Sequence, residues 1–534
     1  MTAFGDVRNL TVTVDPLIHA ETGAVLEGKT LKHRTAFRTR HAPLWIRYVD
    51  YAPFPPADGW SGNPDPLLER GPDELPAGRS QGIWLTAIIP DNAPPGLYRS
   101  RLVCTGDGVE RAIPIEVNVW DFVLPLTGVP GHPYVDFQFF PTDSRRLLES
   151  QHVRQLVSNL VEHGMRWINV GQALDLIRTH PSAAGEYKDV KIPWLEVNDD
   201  GTLAMDFSRW DWFAKEADAA AKPYELSYMA YSGVLGTAVR DFAAAVPGRH
   251  QPPAAGESHP LHGYEVEVLT LLKRHLEKQG MLHRFVYKVG DEPASLRGWY
   301  EKSCRPANEV RMPFMTAMNA FNVTEAETLL GTSLAVWQPL YGVFRPEFIA
   351  KARAAGQKVS WYNCGPPPHS CLKTPAAEIR GYIWQASKYE LDSVCWWGVQ
   401  NWRGGHANAW SNYYEHHNQL VYPAHPAKPP WHEPGKSWRD QAPLDSIRWE
   451  HLRDGMEDSA YVTALREAIA ACRQSGRTAD ADRGQAVLDG IWSSLFPDMT
   501  AFRPSLGALI DARKTIATTV VELTPANAKS ARTR

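Results

Sequence analysis

The sequence predicts an α/β protein: a (β/α)₈ TIM barrel with an N-terminal antiparallel β-sandwich and C-terminal helices. The first observation is a series of short strand patterns, broken by Pro, Gly and Asp, in the first ~125 residues. The second is a set of eight apolar segments between residues 133 and 402 that alternate with helical patterns. The third is that no GxGxxG or Walker-type loop follows these segments, which disfavours a doubly wound sheet.

The composition is that of a globular protein with neither a nucleic-acid nor a membrane partner. The 534 residues include 56 Lys and Arg against 60 Asp and Glu, a formal net charge of −4, so no strongly basic face is expected. No apolar run reaches the ~18 residues of a membrane span. Because the start of the chain lacks a signal-peptide pattern, we expect a cytoplasmic protein, or a secreted or periplasmic one if a signal was removed.

Cysteine usage argues against a disulfide scaffold and against zinc. There are six cysteines, none in a CxxC spacing, and no histidine pair has metal-ligand spacing on a predicted helix. We therefore expect no metal and no cofactor. The oligomeric state is not predicted.

The N-terminal β-sandwich is predicted to span residues 1–127. Antiparallel strands of a sandwich have the length and spacing seen here. A Pro- and Gly-rich stretch at 121–133 predicts a linker to the next domain. The strand patterns are 10–14, 43–51, 83–90, 97–104 and 112–120.

The barrel is predicted to span residues 128–475 and to be followed by a helical extension over 476–534. Fully buried parallel strands are expected to be uniformly apolar, as these segments are. Residues 172–225 are interpreted as a Trp-rich insertion, and a helix from about Leu444 to Arg473 ends the barrel. The strand patterns are 133–140, 167–171, 226–232, 283–293, 312–318, 334–341, 358–365 and 393–402.

In such a barrel the reactive groups lie at the carboxyl ends of the strands. The fourth strand pattern ends in Asp291 and Glu292, and we find neither a lysine for a Schiff base nor a metal-binding set at these ends. One acidic pair among aromatic and amide side chains suits a neutral, polyhydroxylated substrate such as a sugar. The candidate substrate-binding residues are Trp337, Gln338, Trp361, Tyr362, Asn363, Trp396 and Trp397.

Asp291 and Glu292 are the candidate catalytic residues. A simpler interpretation is that Asp291 caps the helix after Pro293, but one cap does not need two acids. Adjacent carboxylates repel each other, which tends to raise one pKa and favours a general acid near neutrality.

A second feature of the pair is that it cannot easily act as the usual two carboxylates of a glycosidase. Those lie about 5 Å or 6.5–9.5 Å apart across the scissile bond, whereas neighbouring residues of an extended chain point to opposite faces. Asp136, on the first strand, is the one comparable partner. A substrate-assisted reaction removes the difficulty, because a 2-acetamido group on the sugar is then the nucleophile and forms an oxazoline.

Three motifs recur in one known family: the DEP sequence after the fourth strand, the segment IWLTAIIPDNAPPGLYRSRLVC (83–104) and the segment SIRWEHLRDGMEDSAYV (446–462). In these motifs the chain resembles glycoside hydrolase family 123. The resemblance implies a retaining exo-β-N-acetylgalactosaminidase, or hexosaminidase, that works by substrate assistance without a metal.

The resemblance also implies roles for individual residues. Asp291 would stabilise the acetamido nitrogen and Glu292 would be the acid/base. Trp396 and Trp397 would form an aromatic wall under the sugar. Tyr362 and Asn363 would hold its hydroxyls.

Two other functions remain open. One is a glycosidase for a sugar without an acetamide, with Asp136 or a loop carboxylate as nucleophile. The other is a non-catalytic glycan-binding protein.

The family's GDG.L.YPG stretch is replaced here by LVYPAHPAKPPWHEPGKSW (420–438), so the pocket rim is expected to differ. The charged residues of 446–462 are interpreted as a structural ion-pair network.

Overall fold

A computed structural model of the protein describes residues 5–26, 44–52, 63–68, 71–125, 134–136, 150–169, 195–254, 259–363, 374–396, 399, 420–422, 444–499 and 504–525. The chain divides into two compact units. The first comprises residues 1–128, 370–384 and 402–534, and the second 129–369 and 385–401. Among the described residues, no helix has both the length and the apolar character needed to cross a bilayer.

The N-terminal part of the first unit consists of antiparallel strands. Its strands are β1 (Val7–Arg8), β2 (Thr11–Val14), β3 (Ile18–His19), β4 (Leu44–Ala52), β5 (Asn63–Leu68), β6 (Glu74–Leu75), β7 (Gly82–Ala87), β8 (Gly96–Gly106) and β9 (Val109–Val119). One sheet has the order β2-β8-β3 with β9 paired to β8, and another has the order β5-β4-β7. Leu44 on β4 and Tyr98 on β8 belong to one hydrophobic cluster, so residues of both sheets share a core.

The β8–β9 hairpin shows how local sequence sets this part of the fold. Its turn consists of Asp107 and Gly108, whose φ angles are +48° and +75°. A two-residue hairpin turn with positive φ at both positions follows the twist of its strands, and Asp-Gly is a preferred pair there. The antiparallel strands predicted from the sequence are therefore confirmed, while their assembly into a sandwich stays a prediction.

The C-terminal part of the first unit is helical. Its helices are Ile447–Gln474, Thr478–Leu495 and Leu506–Leu523. Ser446 caps the first of them, because its Oγ accepts a hydrogen bond from Trp449 N at 3.0 Å. Buried leucines from all three helices, among them Leu465, Leu488 and Leu509, form one core. The three-domain division predicted above is not tested by this, but the long helix lies in the same unit as the N-terminal strands.

The second unit is built on a parallel sheet. Its strands are β10 (Tyr134–Asp136), β11 (Trp167–Asn169), β12 (Leu195–Val197), β13 (Leu203–Met205), β14 (Ser227–Tyr231), β15 (Phe285–Lys288), β16 (Phe314–Met318), β17 (Leu334–Pro339), β18 (Lys358–Asn363) and β19 (Ser393–Trp396). Eight of them pair in the order β10-β19-β18-β17-β16-β15-β14-β11, all parallel. All eight predicted strands and the α/β class are confirmed. Closure into a barrel stays a prediction.

Helices and short helical turns lie between these strands. They are Ser150–Glu162, Ser208–Ala221, Ser232–Ala245, His262–Lys278, Leu282–Arg284, Leu296–Trp299, Tyr300–Cys304, Arg305–Glu309, Val323–Glu327, Tyr341–Val343, Pro346–Phe348, Ile349–Ala354 and Ala376–Lys388. The predicted insertion 172–225 contains the antiparallel hairpin of β12 and β13 and the helix Ser208–Ala221. The helix itself is not predicted from the sequence, and its Trp210 is a core residue with 3% exposure.

One face of the parallel sheet carries the inner core. Buried side chains from five neighbouring strands form a single cluster, namely Trp167, Met229, Val286, Met315 and Val336. Because side chains alternate along a strand, residues two positions later lie on the same face and nearer the carboxyl end. The next residues of this face therefore lie at the carboxyl ends of the strands, where the predicted acids follow β15.

Candidate active site

The chain reverses after β15 in a loop that neighbouring elements hold on both sides. Gly290 has a φ of +67° and donates its N–H to Ser232 Oγ at 3.0 Å. Glu292 has a φ of +44° and donates its N–H to Ala317 O at 2.9 Å. A left-handed conformation costs a non-glycine residue about 1–2 kcal/mol. Such strain persists where the surroundings fix the backbone, and it is typical of functional sites.

Asp291 forms an ion pair with Lys288, the last residue of β15. The distance from Lys288 Nζ to Asp291 Oδ1 is 3.6 Å, and the two side chains are 3% and 43% exposed. The same ammonium lies 5.4 Å from the centre of the Tyr231 ring. Burial raises the pKa of Tyr231, Asp291 raises it further, and Lys288 opposes the rise. The three side chains therefore form one electrostatic group.

Lys288 contradicts the expectation that no lysine lies at these strand ends. Val286 points into the inner cluster, so alternation places Lys288 on the same face, one layer nearer the carboxyl end. The sequence contained two signals for this position. One is a charged residue within the apolar run FVYKV, and the other is its three-residue spacing from Asp291.

Glu292 is held by a residue from another strand. The Tyr362 hydroxyl donates a hydrogen bond to Glu292 Oε1. Tyr362 is 3% exposed and packs with Ala317 and Cys395, whereas Glu292 is exposed. A rigid, buried ring thus orients one oxygen of a carboxylate that solvent can still reach. The prediction placed Tyr362 at the site, and the structure puts it against the acid itself.

Gln338 is a buried amide at one of these strand ends. It is 1% exposed and lies two residues after Val336, on the face that carries the inner cluster. Alternation therefore places Gln338 on the side that also carries Lys288 and Tyr362. Its predicted role in substrate binding is consistent with this position and remains a prediction.

Trp337 and Trp361 lie on the opposite face of the sheet, which corrects their interpretation as sugar-contacting residues. Trp337 is 1% exposed, its Nε1 donates to Gln357 Oε1 at 2.9 Å, and its ring packs edge-on against Phe348 at 4.9 Å. Trp361 is fully buried, with its ring 5.1 Å from that of Tyr341. Both rings belong to the core between the sheet and its helices, where a sugar has no access.

The remaining predicted residues lie on or after the strands β19, β18 and β10. Trp396 is 2% exposed, and alternation places it on the face opposite Cys395; its role as a sugar-stacking wall remains a prediction. Asn363 is 7% exposed and pairs in register with Trp396. Asp136 pairs in register with Cys395, which places its backbone at the corresponding strand end. Trp397 lies outside the described residues.

This arrangement can transfer a proton and stabilise a positive charge. Glu292 is exposed and Tyr362 orients one of its oxygens, so this carboxylate is accessible for proton transfer to or from a substrate. Asp291 is a second carboxylate beside it that could accept a hydrogen bond from a polar substrate group. A divalent cation at Asp291 would have the Lys288 ammonium as a close neighbour, so the charges disfavour metal binding there.

The sequence and the fold both resemble known glycosidases. Residues 148–465 match the family described as "Glycoside hydrolase 123, catalytic domain". The fold is similar to that of a family 123 glycoside hydrolase from Clostridium perfringens, whose structural analysis concerns glycolipid glycan hydrolysis. That similarity has a TM-score of 0.64 at 15% sequence identity and covers 98% of this chain and 90% of the other. Sequence comparison with curated proteins gives no match.

Two other solved structures are much less similar. One is a GH10 xylanase with a bacterial Ig-like domain from termite gut, with a TM-score of 0.31 at 11% identity, covering 67% of this chain and 86% of that one. The other is the endo-β-1,4-mannanase of Thermotoga petrophila, with a TM-score of 0.32 at 10% identity, covering 62% and 76%. The family match over 148–465 shows that the chain belongs to glycoside hydrolase family 123 and is a glycosidase that acts on a carbohydrate.

Proposed function

We propose that the protein is a retaining exo-β-N-acetylgalactosaminidase, or a closely related hexosaminidase, that works by substrate-assisted catalysis. The observation that carries the proposal is the pair of consecutive carboxylates after β15, each held by a different partner. Asp291 pairs with Lys288, and Glu292 accepts a hydrogen bond from Tyr362. Two adjacent acids in separate environments suit two separate tasks on one substrate.

In the first step the acetamido oxygen of the sugar attacks C1. The bond from C1 to the glycosidic oxygen breaks, and Glu292 donates its proton to that oxygen. Asp291 accepts a hydrogen bond from the acetamido N–H and stabilises the positive charge that develops on the oxazoline ring. In the second step Glu292 takes a proton from water, the water oxygen attacks C1 and the ring reopens. Two displacements at C1 retain its configuration.

The spacing of the acids favours this reaction over a double displacement through an enzyme carboxylate. A classical retaining pair lies about 5 Å apart on opposite sides of the scissile bond. Consecutive residues of one short loop are poorly placed for that geometry. When the substrate brings its own nucleophile, both acids can act from the same loop.

Asp136 supports a second candidate function. Its backbone lies at the carboxyl end of β10, and β10 is a strand of the same parallel sheet. A carboxylate there could serve as the nucleophile for a sugar without an acetamide. That enzyme would prefer a β-galactoside to the β-GalNAc glycoside. A non-catalytic glycan-binding protein is the remaining alternative, and it would hydrolyse neither.

A chromogenic panel tests the proposal. The p-nitrophenyl β-glycosides of GalNAc, GlcNAc, Gal and Glc are compared by kcat/KM, and the GalNAc compound is expected to be the best substrate. A thiazoline analogue of the preferred sugar is expected to inhibit far more tightly than the free sugar, because it mimics the oxazoline intermediate. Equal turnover of plain β-galactosides, or no inhibition by the thiazoline, would contradict substrate assistance.

We also propose that the parallel sheet closes into a (β/α)₈ barrel and that the N-terminal strands form a sandwich. The shared cluster of five inner-face residues supports the first, since side chains from neighbouring strands converge inside a barrel. The cluster shared by β4 and β8 supports the second.

A further inference from the structure

Lys288 is a buried cation on the inward face of β15, which is otherwise apolar at Val286. The residue is 2% exposed, and the preceding inner-face position of β15 is Val286. Removing an ammonium from water costs several kcal/mol unless opposite charge and hydrogen bonds compensate. Packing alone therefore does not explain a lysine at this position, and its partners are the place to look for its role.

Two partners of Lys288, Asp291 and Tyr231, lie beside the proposed active site. Its Nζ is 3.6 Å from Asp291 Oδ1 and 5.4 Å from the centre of the Tyr231 ring, an arrangement that combines an ion pair with a cation–π contact. Because Lys288 is buried on a strand, its head group has a defined position. Asp291 is nearly half exposed, so packing alone does not set its rotamer.

The backbone around Asp291 is fixed independently of this ion pair. Gly290 N donates to Ser232 Oγ and Glu292 N donates to Ala317 O, so both neighbours of Asp291 are tied to adjacent elements. What these bonds leave undetermined is the rotation of the Asp291 side chain. The Lys288 ammonium attracts Oδ1 and thereby selects one orientation of the carboxylate.

We propose that Lys288 is a positioning residue that holds Asp291 in the orientation needed to accept the acetamido N–H. The inference rests on the proposed function, because it gives the orientation of Asp291 a purpose. Lys288 does not touch the sugar in this account. It acts through Asp291, by keeping Oδ1 toward the protein so that the other oxygen can face the substrate.

The test is a double-mutant cycle of Lys288→Met and Asp291→Asn, measured on whichever glycoside the wild-type enzyme cleaves best. Misplacement of a catalytic group by about 1 Å can cost ~10²-fold in rate, so Lys288→Met is expected to lower kcat by roughly 30- to 100-fold with little change in KM. In the Asp291→Asn background the same substitution is expected to lower kcat by less than about threefold, because no carboxylate remains to be positioned.

Lys273→Met is the matched control. Lys273 is a partly buried lysine of the second unit that donates to Val310 O at 3.0 Å and pairs with Glu277, away from the acids. It is expected to leave kcat unchanged. If Lys288→Met does not fold, as judged by circular dichroism, Lys288→Gln takes its place under the same criteria.

Two results would overturn the inference. One is a Lys288 variant that keeps kcat within threefold of the wild type while Asp291→Asn loses activity. The other is a double mutant in which the reduction in kcat equals the product of the reductions caused by the two single substitutions. The proposed function fails in a different way, through an Asp291→Asn enzyme that retains activity or a wild type that the thiazoline does not inhibit. The two failures are therefore distinguishable.

Discussion

The acids of the loop after β15 and those of the helix Ile447–Gln474 have the same chemistry in opposite surroundings. Asp291 is 43% exposed with one cation at 3.6 Å, and Glu292 is exposed with a tyrosine hydroxyl as its partner. In the helix, Glu450 and Asp458 are completely buried. One pair is accessible to a substrate and the other is not.

The helix acids are surrounded by arginines. Glu450 pairs with Arg47 and Arg453, and Asp458 accepts hydrogen bonds from Arg380 at 3.0 Å and from Arg513. Burial raises the pKa of Asp458, and the arginines Arg513 and Arg380 oppose the rise. Removing one partner from such a buried network is destabilising because a charge is left uncompensated, and burial keeps the carboxylate oxygens from a substrate. The predicted structural role of the 446–462 charges is consistent with these contacts.

The comparison shows that two acidic motifs of the same sequence can have different roles, one at a substrate-accessible loop and one in the protein interior. Both segments are acidic and both are part of the resemblance to the family, but the loop acids lie at a strand end on a strained backbone. The helix acids lie in a packed ion-pair network. Substituting matched residues of the two regions should therefore change different properties of the protein.

Glu292→Gln should have the largest effect, and on activity alone. A general acid contributes about 10²–10⁴-fold, so kcat/KM for a glycoside with a poor leaving group is expected to fall by that factor. Glutamine keeps the size of the side chain and can still accept a hydrogen bond from Tyr362. The midpoint of urea unfolding should therefore remain that of the wild type. A kcat/KM ratio near one would remove Glu292 from the mechanism.

Glu450→Gln should show the opposite behaviour. The substitution leaves Arg47 buried with one of its two carboxylate partners missing, and breaking a buried pair typically costs about 3–5 kcal/mol. We expect the free energy of unfolding, measured by urea titration, to fall by that amount. Activity per folded molecule should be unchanged below the unfolding transition. A Glu450→Gln enzyme that is as stable as the wild type but inactive would contradict the structural role of Glu450.

The sequence was sufficient for much of the fold because buried parallel strands are distinctive. FVYK (285–288) and FMTAM (314–318) are buried and largely apolar, so the sequence predicts their strands. Asp291 and Glu292 are predictable because two carboxylates directly follow an apolar strand. The helix Ser208–Ala221 is not predicted, because its two tryptophans are interpreted as part of a Trp-rich insertion.

The errors at the site concern the faces of strands. Trp337 and Gln338 are neighbours at one strand end, yet only the glutamine lies on the face of the inner cluster. An apolar run without alternation does not indicate which residues point inward, so composition at a strand end cannot separate them. Once Val336 and Val286 are known to point inward, alternation places Gln338 and Lys288 on the same inward face.

Tyr362→Phe should have a moderate effect on activity. Removing the hydroxyl leaves Glu292 Oε1 without the donor that orients it, and because misplacement of a catalytic group by about 1 Å can cost ~10²-fold, we expect kcat to fall by roughly 10- to 100-fold. The change in unfolding free energy should be small, because the ring still packs with Ala317 and Cys395 and water can replace the donor at the exposed Glu292. In the Glu292→Gln background the same substitution should have a much smaller effect. Full multiplication of the two effects would mean that Tyr362 acts elsewhere, for example on a sugar hydroxyl.

The smallest expected effect is a gain in stability at the site itself. Glu292 has a φ of +44°, a conformation that glycine adopts without the steric penalty paid by other residues. The free energy of unfolding of Glu292→Gly is therefore expected to exceed that of Glu292→Gln by about 0.5–1 kcal/mol. Both variants lack the acid. Urea titration of the two inactive variants measures the difference. A Glu292→Gly variant that is less stable than Glu292→Gln would mean that the left-handed backbone is not strained. The loop and the helix would then differ in burial and charge alone.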